Sequence, residues 1–92
     1  MKTQLVAGNR IGYSAKFLQS IGAFAGAIPE QRGMFIKMEP DMPGFARVRW
    51  DGWEAQLEQS AKLYGHDYAT DVRENGNLVH ADNIAKVGTP QF

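Results

Sequence analysis

Two arginines one residue apart, Arg47 and Arg49, are the side chains of this 92-residue chain best suited to chemistry. Guanidinium groups at alternate positions of an extended segment share a face, and such a pair can grip carboxylates or phosphates. The surrounding stretch, Gly44-Phe45-Ala46-Arg47-Val48-Arg49-Trp50-Asp51, does alternate. Ala46, Val48 and Trp50 point one way while Phe45, Arg47 and Arg49 point the other, the period of a strand with one covered face. Four further cations, Arg10, Lys16, Arg32 and Lys37, come earlier, interleaved with Phe17, Phe35 and Phe45. If the first three strands lie together, these residues form a phosphate-tracking surface with aromatic platforms, or a clasp for the carboxylates of a protein partner. The plainer alternative is a solvated sheet face. Trp53 joins the candidate binding residues because tryptophan and arginine dominate interface hot spots, although a tryptophan opening an amphipathic helix is more often core.

Other chemistries find less support. His66 and His80 lie near Asp67, Asp71 and Asp82 in sequence, but a metal site needs three or four converging ligands. His66 reads as a residue of a wet loop and His80 as paired within a last hairpin, so no metal is expected. Ser14, Ser20 and Ser60 stand outside the strand–turn–helix contexts that activate a nucleophile. Glu54 and Glu58 fall on neighbouring helical turns, where Asp51 ahead of them makes cap and solvent face the better reading than an acid/base pair. Gly8, Gly12, Gly22 and Gly26 match neither a phosphate-cradling loop nor a dinucleotide fingerprint. The expectation is a protein without catalysis or cofactor.

Size and composition point the same way. Ninety-two residues make a single domain, 1–92, too small for a buried cleft between two lobes. With 43 % hydrophobic and 22 % charged residues the chain lies outside the regime of disorder. It has no cysteine, so packing must hold it together, which fits the cytosol. No apolar run approaches bilayer length and Met1–Gly8 is too poor in apolar residues for a signal peptide, so a soluble cytoplasmic protein is expected. A formal net charge of zero argues against a generic nucleic-acid coat and against an acidic mimic. Yet residues 1–50 carry seven Lys/Arg and three Asp/Glu, whereas residues 51–92 carry three and seven. If the halves form different faces, one suits an acidic partner and the other repels it; if they interleave, they neutralise each other.

The elements that must carry these residues can be read in order. Gly8-Asn9 is a turn into a first strand at Arg10–Tyr13, and Ser14 caps a short helix through Ile21 with Gly22 as its stop. Residues 23–29 read as a long loop closed by Pro29. A second strand over 33–39 places Met34, Ile36 and Met38 on one face and Phe35 and Lys37 on the other, and pairs as a hairpin with the stretch Gly44–Asp51, expected to be the central strand of the sheet. Trp53, Leu57, Ala61 and Tyr64 then share a helical face, predicting one helix over about 52–64. The competing reading makes Asp51-Gly52 a hairpin turn with Trp50 and Trp53 packed across it. Asn75-Gly76 predicts a further hairpin between 68–74 and 77–80. A single helical turn at 81–84 and a closing strand at 85–88 complete the chain, and the tail is mobile unless Phe92 docks. The fold class expected is α+β: a small curved antiparallel sheet or partly open barrel with one helix.

That order resembles an SH3-like barrel of the KOW type, most clearly in Leu78-Val79-His80-Ala81-Asp82-Asn83-Ile84-Ala85-Lys86-Val87. The opening Arg10–Gly22 is similar to the start of a group of short bacteriophage proteins with a barrel-like pattern, while residues 53–74 depart from it as an insertion. The resemblance implies a phage protein that acts by binding host machinery, as anti-CRISPR proteins of this size do, in the host cytoplasm. The expected partner is a host protein or nucleoprotein complex; the alternative is a KOW-like module that contacts RNA or DNA directly.

Overall fold

A computed structural model describes residues 5–92; the first four residues of the Met1–Gly8 stretch, considered for a signal peptide, lie outside the described residues. The chain is α+β. Its elements are β1 (Arg10–Tyr13), α1 (Ala15–Ile21), α2 (Ala27–Glu30), β2 (Arg32–Met38), β3 (Phe45–Trp50), α3 (Trp53–Tyr64), α4 (His66–Asn75), β4 (Asn77–His80), a 3-10 turn (Ala81–Asn83) and β5 (Ile84–Lys86). The five strands form one open antiparallel sheet in the order β4-β3-β2-β1-β5. No helix among the described residues is long and apolar enough to cross a membrane.

The alternation in β3 is converted directly into packing. Ala46, Val48 and Trp50 are buried and the residues between them are half-buried, because β3 is flanked by β2 and β4 and its apolar parity has nowhere else to go. Ile11, Phe35, Ala46, Val48, Trp50 and Ile84 form the core on that face. α1 begins and ends where its sequence says it should. The Ser14 hydroxyl accepts the Phe17 N–H, and Gly22, left-handed at φ 70°, closes the helix on the Gln19 and Leu18 carbonyls.

Three features differ from the sequence reading. First, β2 carries a bulge between Phe35 and Lys37, so Met34 pairs with Arg49 whereas Met38 pairs with Ala46. One extra residue reverses the parity of the rest of the strand, which puts Met38 on the core face and Lys37 beside Arg47. Second, the expected single helix is joined by α1, by a short α2 inside the anticipated loop, and by α4. Third, Asn75-Gly76 closes α4 and does not turn a hairpin. Gly76 has φ 88° and its N–H is bonded to the Val72 carbonyl. Positive φ serves a helix stop as well as a hairpin turn, and here the ten residues before it satisfy their backbone groups helically.

The consequence is a helical arm. Between the adjacent strands β3 and β4 the chain leaves the sheet, runs out along α3, reverses at Gly65 and returns along α4. Gly76 sits at the root of this arm, where a Cβ would lie 2.7 Å from both Ile36 Cδ1 and the Val48 carbonyl oxygen. Gly76→Ala should therefore destabilise the fold by roughly 3 kcal/mol. Gly22→Ala, in open space, should cost only about 1 kcal/mol for its left-handed backbone. Paired urea titrations measure both.

Candidate binding surfaces

Register brings most of the predicted cations together. Arg10 lies opposite Met34 and Met34 opposite Arg49, while Arg32 is two residues from Met34 and Lys37 pairs with Arg47. Arg10, Arg32, Lys37, Arg47 and Arg49 thus share the face of the sheet opposite the core. Lys16 stands apart, on the rim of a groove of about 580 Å³ floored by Leu5, Phe17, Met38 and Ile84. Trp53 is half-buried at the start of α3.

The four arginines of that face are engaged within the protein. Arg47, whose side chain is only 11 % exposed, donates from Nε to Glu39 at 2.8 Å and from Nη1 to Asp71 at 2.9 Å and to the Gly76 carbonyl at 3.1 Å. Arg49 donates to the Val72 and Arg73 carbonyls at 2.8 and 3.1 Å, capping the last turn of α4, and its guanidinium lies 4.3 Å from the centre of the Trp53 ring. Arg10 forms a two-pronged pair with Asp51. Arg32 donates to the Pro29 and Gln31 carbonyls and stacks 4.5 Å over Phe92, so the tail residue does dock. Lys37 remains exposed. Trp53 accordingly works as a platform for Arg49.

The carboxylates respond to this wiring. The hydrogen bond from Arg47 holds Glu39 below the usual carboxylate range. Asp71 is lowered by the Asn75 amide and then by Arg47, and Asp51 by Arg10. Burial works against the charge of Arg47, yet its bonds to Glu39 and Asp71 outweigh that and raise its pKa. His80 is exposed; its Nδ1 accepts the Asp82 N–H at 3.3 Å and its ring packs on Phe45. His66 opens α4 instead of sitting in a loop. Among the described residues no group of three His, Asp or Glu side chains is placed to hold a metal ion.

Sequence reasoning passed over the far end of the arm. Leu63 and Tyr64 end α3 with 75 % and 69 % of their surface exposed, and Tyr68 in the first turn of α4 packs its ring 5.1 Å from that of Tyr64. Tyr64 falls on the apolar stripe with Trp53, Leu57 and Ala61, which made it look like core. The available signal was Leu63, off that stripe and separated from Gly65 by a single residue. The arm is also the acidic part of the molecule, since residues 51–76 hold six Asp/Glu and two Lys/Arg. Every unit of the −4 found in the second half of the sequence lies there.

Because Glu39 and Asp71 have lowered pKa values in the fold, the unfolded chain binds more protons than the folded one as pH drops through the carboxylate range. The stability they contribute is complete above the unfolded pKa and disappears as pH falls through the folded one. Arg47→Met should lower stability at pH 7 by about 2 kcal/mol, a low figure because Asp71 is partly solvent-screened. It should also flatten the decline expected of the wild type below about pH 5. Thermal melts from acid to neutral pH measure both effects. No protein-family model, curated protein or solved structure matches the chain.

Proposed function

We propose that this is a non-catalytic binding protein of the phage anti-defence kind, which docks on a host protein or nucleoprotein complex in the cytoplasm through the tip of the α3–α4 arm. The observation that carries this reading is the exposure of Leu63, Tyr64 and Tyr68 around the reversal between α3 and α4. Large amphipathic rings are costly to leave in water and are the usual anchors of protein interfaces. The charge of the arm names the character of the partner. An excess of four acids over residues 51–76 suits a cationic surface, such as proteins that handle nucleic acids present, and repels an acidic one. The arginine face supports this function indirectly, by bolting the root of the arm to the sheet.

We read the sheet itself as a partly open SH3-like barrel of the KOW type. The strand order β4-β3-β2-β1-β5, the bulge in β2 and the 3-10 turn before the last strand support that reading. The arm is then an insertion between the third and fourth strands. The barrel reading keeps a second function in view, direct RNA or DNA contact by the face that gathers Arg10, Arg32, Lys37, Arg47 and Arg49. Four of those five cations already have partners within the protein, which favours the arm.

The test is capture from host lysate, with and without nuclease, using wild type and the Leu63→Ser/Tyr64→Ser variant. Both changed positions are exposed, so the circular dichroism spectrum and melting temperature should be unchanged while recovery of a nuclease-resistant partner falls by about tenfold or more. Equal recovery by the variant overturns the docking surface. A mobility shift with mixed RNA and DNA that falls steeply with salt would instead favour the nucleic-acid reading.

A further inference from the structure

We propose that Asn75 is a site of spontaneous deamidation, held unreactive by the junction between arm and sheet and released when the end of α4 undocks. The chain has four asparagines, Asn9, Asn75, Asn77 and Asn83, and only Asn75 is followed by a glycine. After the other three, the side chains of Arg10, Leu78 and Ile84 crowd the next backbone nitrogen. A glycine leaves that nitrogen unobstructed and its dihedrals permissive. The asparagine amide is thermolabile, and its decay runs through this nitrogen.

The reaction balances with water alone. The Gly76 amide nitrogen gives its proton to solvent hydroxide and attacks Asn75 Cγ. The new C–N bond closes a five-membered imide as the Cγ–Nδ2 bond breaks, and the departing nitrogen takes up a proton from water to leave as ammonia. Water then adds to either imide carbonyl and opens the ring to an aspartyl or an isoaspartyl residue. In sum one water is consumed and one ammonia released, and nothing is oxidised or reduced.

The fold occupies both reacting groups. The Gly76 N–H is bonded to the Val72 carbonyl at 2.9 Å, and Gly76 is buried. The Asn75 amide is drawn back one helical turn, where Nδ2 donates to Asp71 Oδ1 at 2.9 Å. Asp71 is fixed through its other oxygen by Arg47, which also binds the Gly76 carbonyl. Nucleophile and electrophile are thus tied to different partners by one network, and local opening of the α4 terminus frees both together. Asn75 itself is exposed, so water reaches it throughout.

The products do not restore the junction. An isoaspartyl linkage adds a methylene to the main chain directly before Gly76, where even a Cβ would lie 2.7 Å from both Ile36 Cδ1 and the Val48 carbonyl oxygen. An aspartyl product replaces the donor that met Asp71 with a second carboxylate, a like-charge pair one turn apart. A reversible opening becomes a permanent one, and the arm acquires a lifetime set by how often it undocks.

The test is incubation of the intact protein at mildly alkaline pH, with peptide mass spectrometry for the amide-to-carboxylate mass gain at Asn75 and, in parallel, hydrogen exchange of the Gly76 N–H. Wild type should convert slowly. Arg47→Met should convert about tenfold faster or more, with exchange of the Gly76 amide accelerated by a similar factor. Because that variant also loses global stability, wild type in urea well below its unfolding midpoint supplies a second series, in which both rates should again rise together. Asn75→Gln, whose longer side chain would have to close a six-membered ring, should abolish the mass gain. Converted wild type should exchange faster along α4 than unconverted protein. Conversion of folded wild type as fast as of the fully denatured chain, conversion unchanged by both Arg47→Met and urea, or conversion while the Gly76 amide stays protected would overturn the proposal.

Discussion

The structure depends on one guanidinium. Arg47 projects from β3, which lies second from the edge of the sheet and not at its centre as its sequence suggests, and joins three separate parts of the chain: Glu39 just after β2, Asp71 inside α4 and the Gly76 carbonyl at the entrance to β4. A planar fork holds its donors on separate nitrogens in fixed directions, so it reaches acceptors that the single nitrogen of an ammonium cannot span. A lysine could not reproduce it. The bonds sit in a little-exposed setting where their geometry, more than long-range attraction, determines their value. Arg49, two residues on, adds the last carbonyls of α4 and the ring of Trp53. Together they make the sheet and the arm one mechanical unit.

This constraint explains which parts of the molecule could be read from sequence. The parity of Phe45–Trp50, the Ser14 cap and the Gly22 stop are set by residues close in the chain, and local stereochemistry delivers them; α3 begins at Trp53 after Gly52 without the cap expected of Asp51, whose carboxylate pairs with Arg10 instead. The partners of the arginines are not local. Asp71 lies far along the chain from Arg47, and a backbone carbonyl such as that of Gly76 or Val72 has no sequence signature at all. An outward-pointing arginine on a strand is the same pattern whether it meets solvent, a partner or a later helix of its own chain. The bulge at Ile36 was hidden for a related reason. The alternation of Met34, Ile36 and Met38 is unbroken in sequence, and only pairing with β3 reveals the residue that falls out of register.

Asn75-Gly76 shows how one local preference serves two architectures. Either a tight turn or a helix stop uses a glycine at positive φ, and the choice is made by the preceding segment, where Ala69 and Val72 are buried. The charge asymmetry of the sequence acquires a place by the same route. The arginines of the basic half are engaged on the sheet face and at its junction with α4, and the acidic excess gathers on the α3–α4 pair. A property of composition thereby turns into a difference between a scaffold and the element it presents.

The pairing of β1 with β5 carries a consequence for how the molecule is made. Tyr13 meets Ile84, and Ile11 meets Lys86, so β1 leaves the ribosome long before the strand that it pairs with. Until β5 arrives, β1 is an unprotected edge whose amide groups are open to any extended chain nearby. Closing so long a loop is slow. The interval between translation of β1 and arrival of β5 is the period of greatest vulnerability to misassembly.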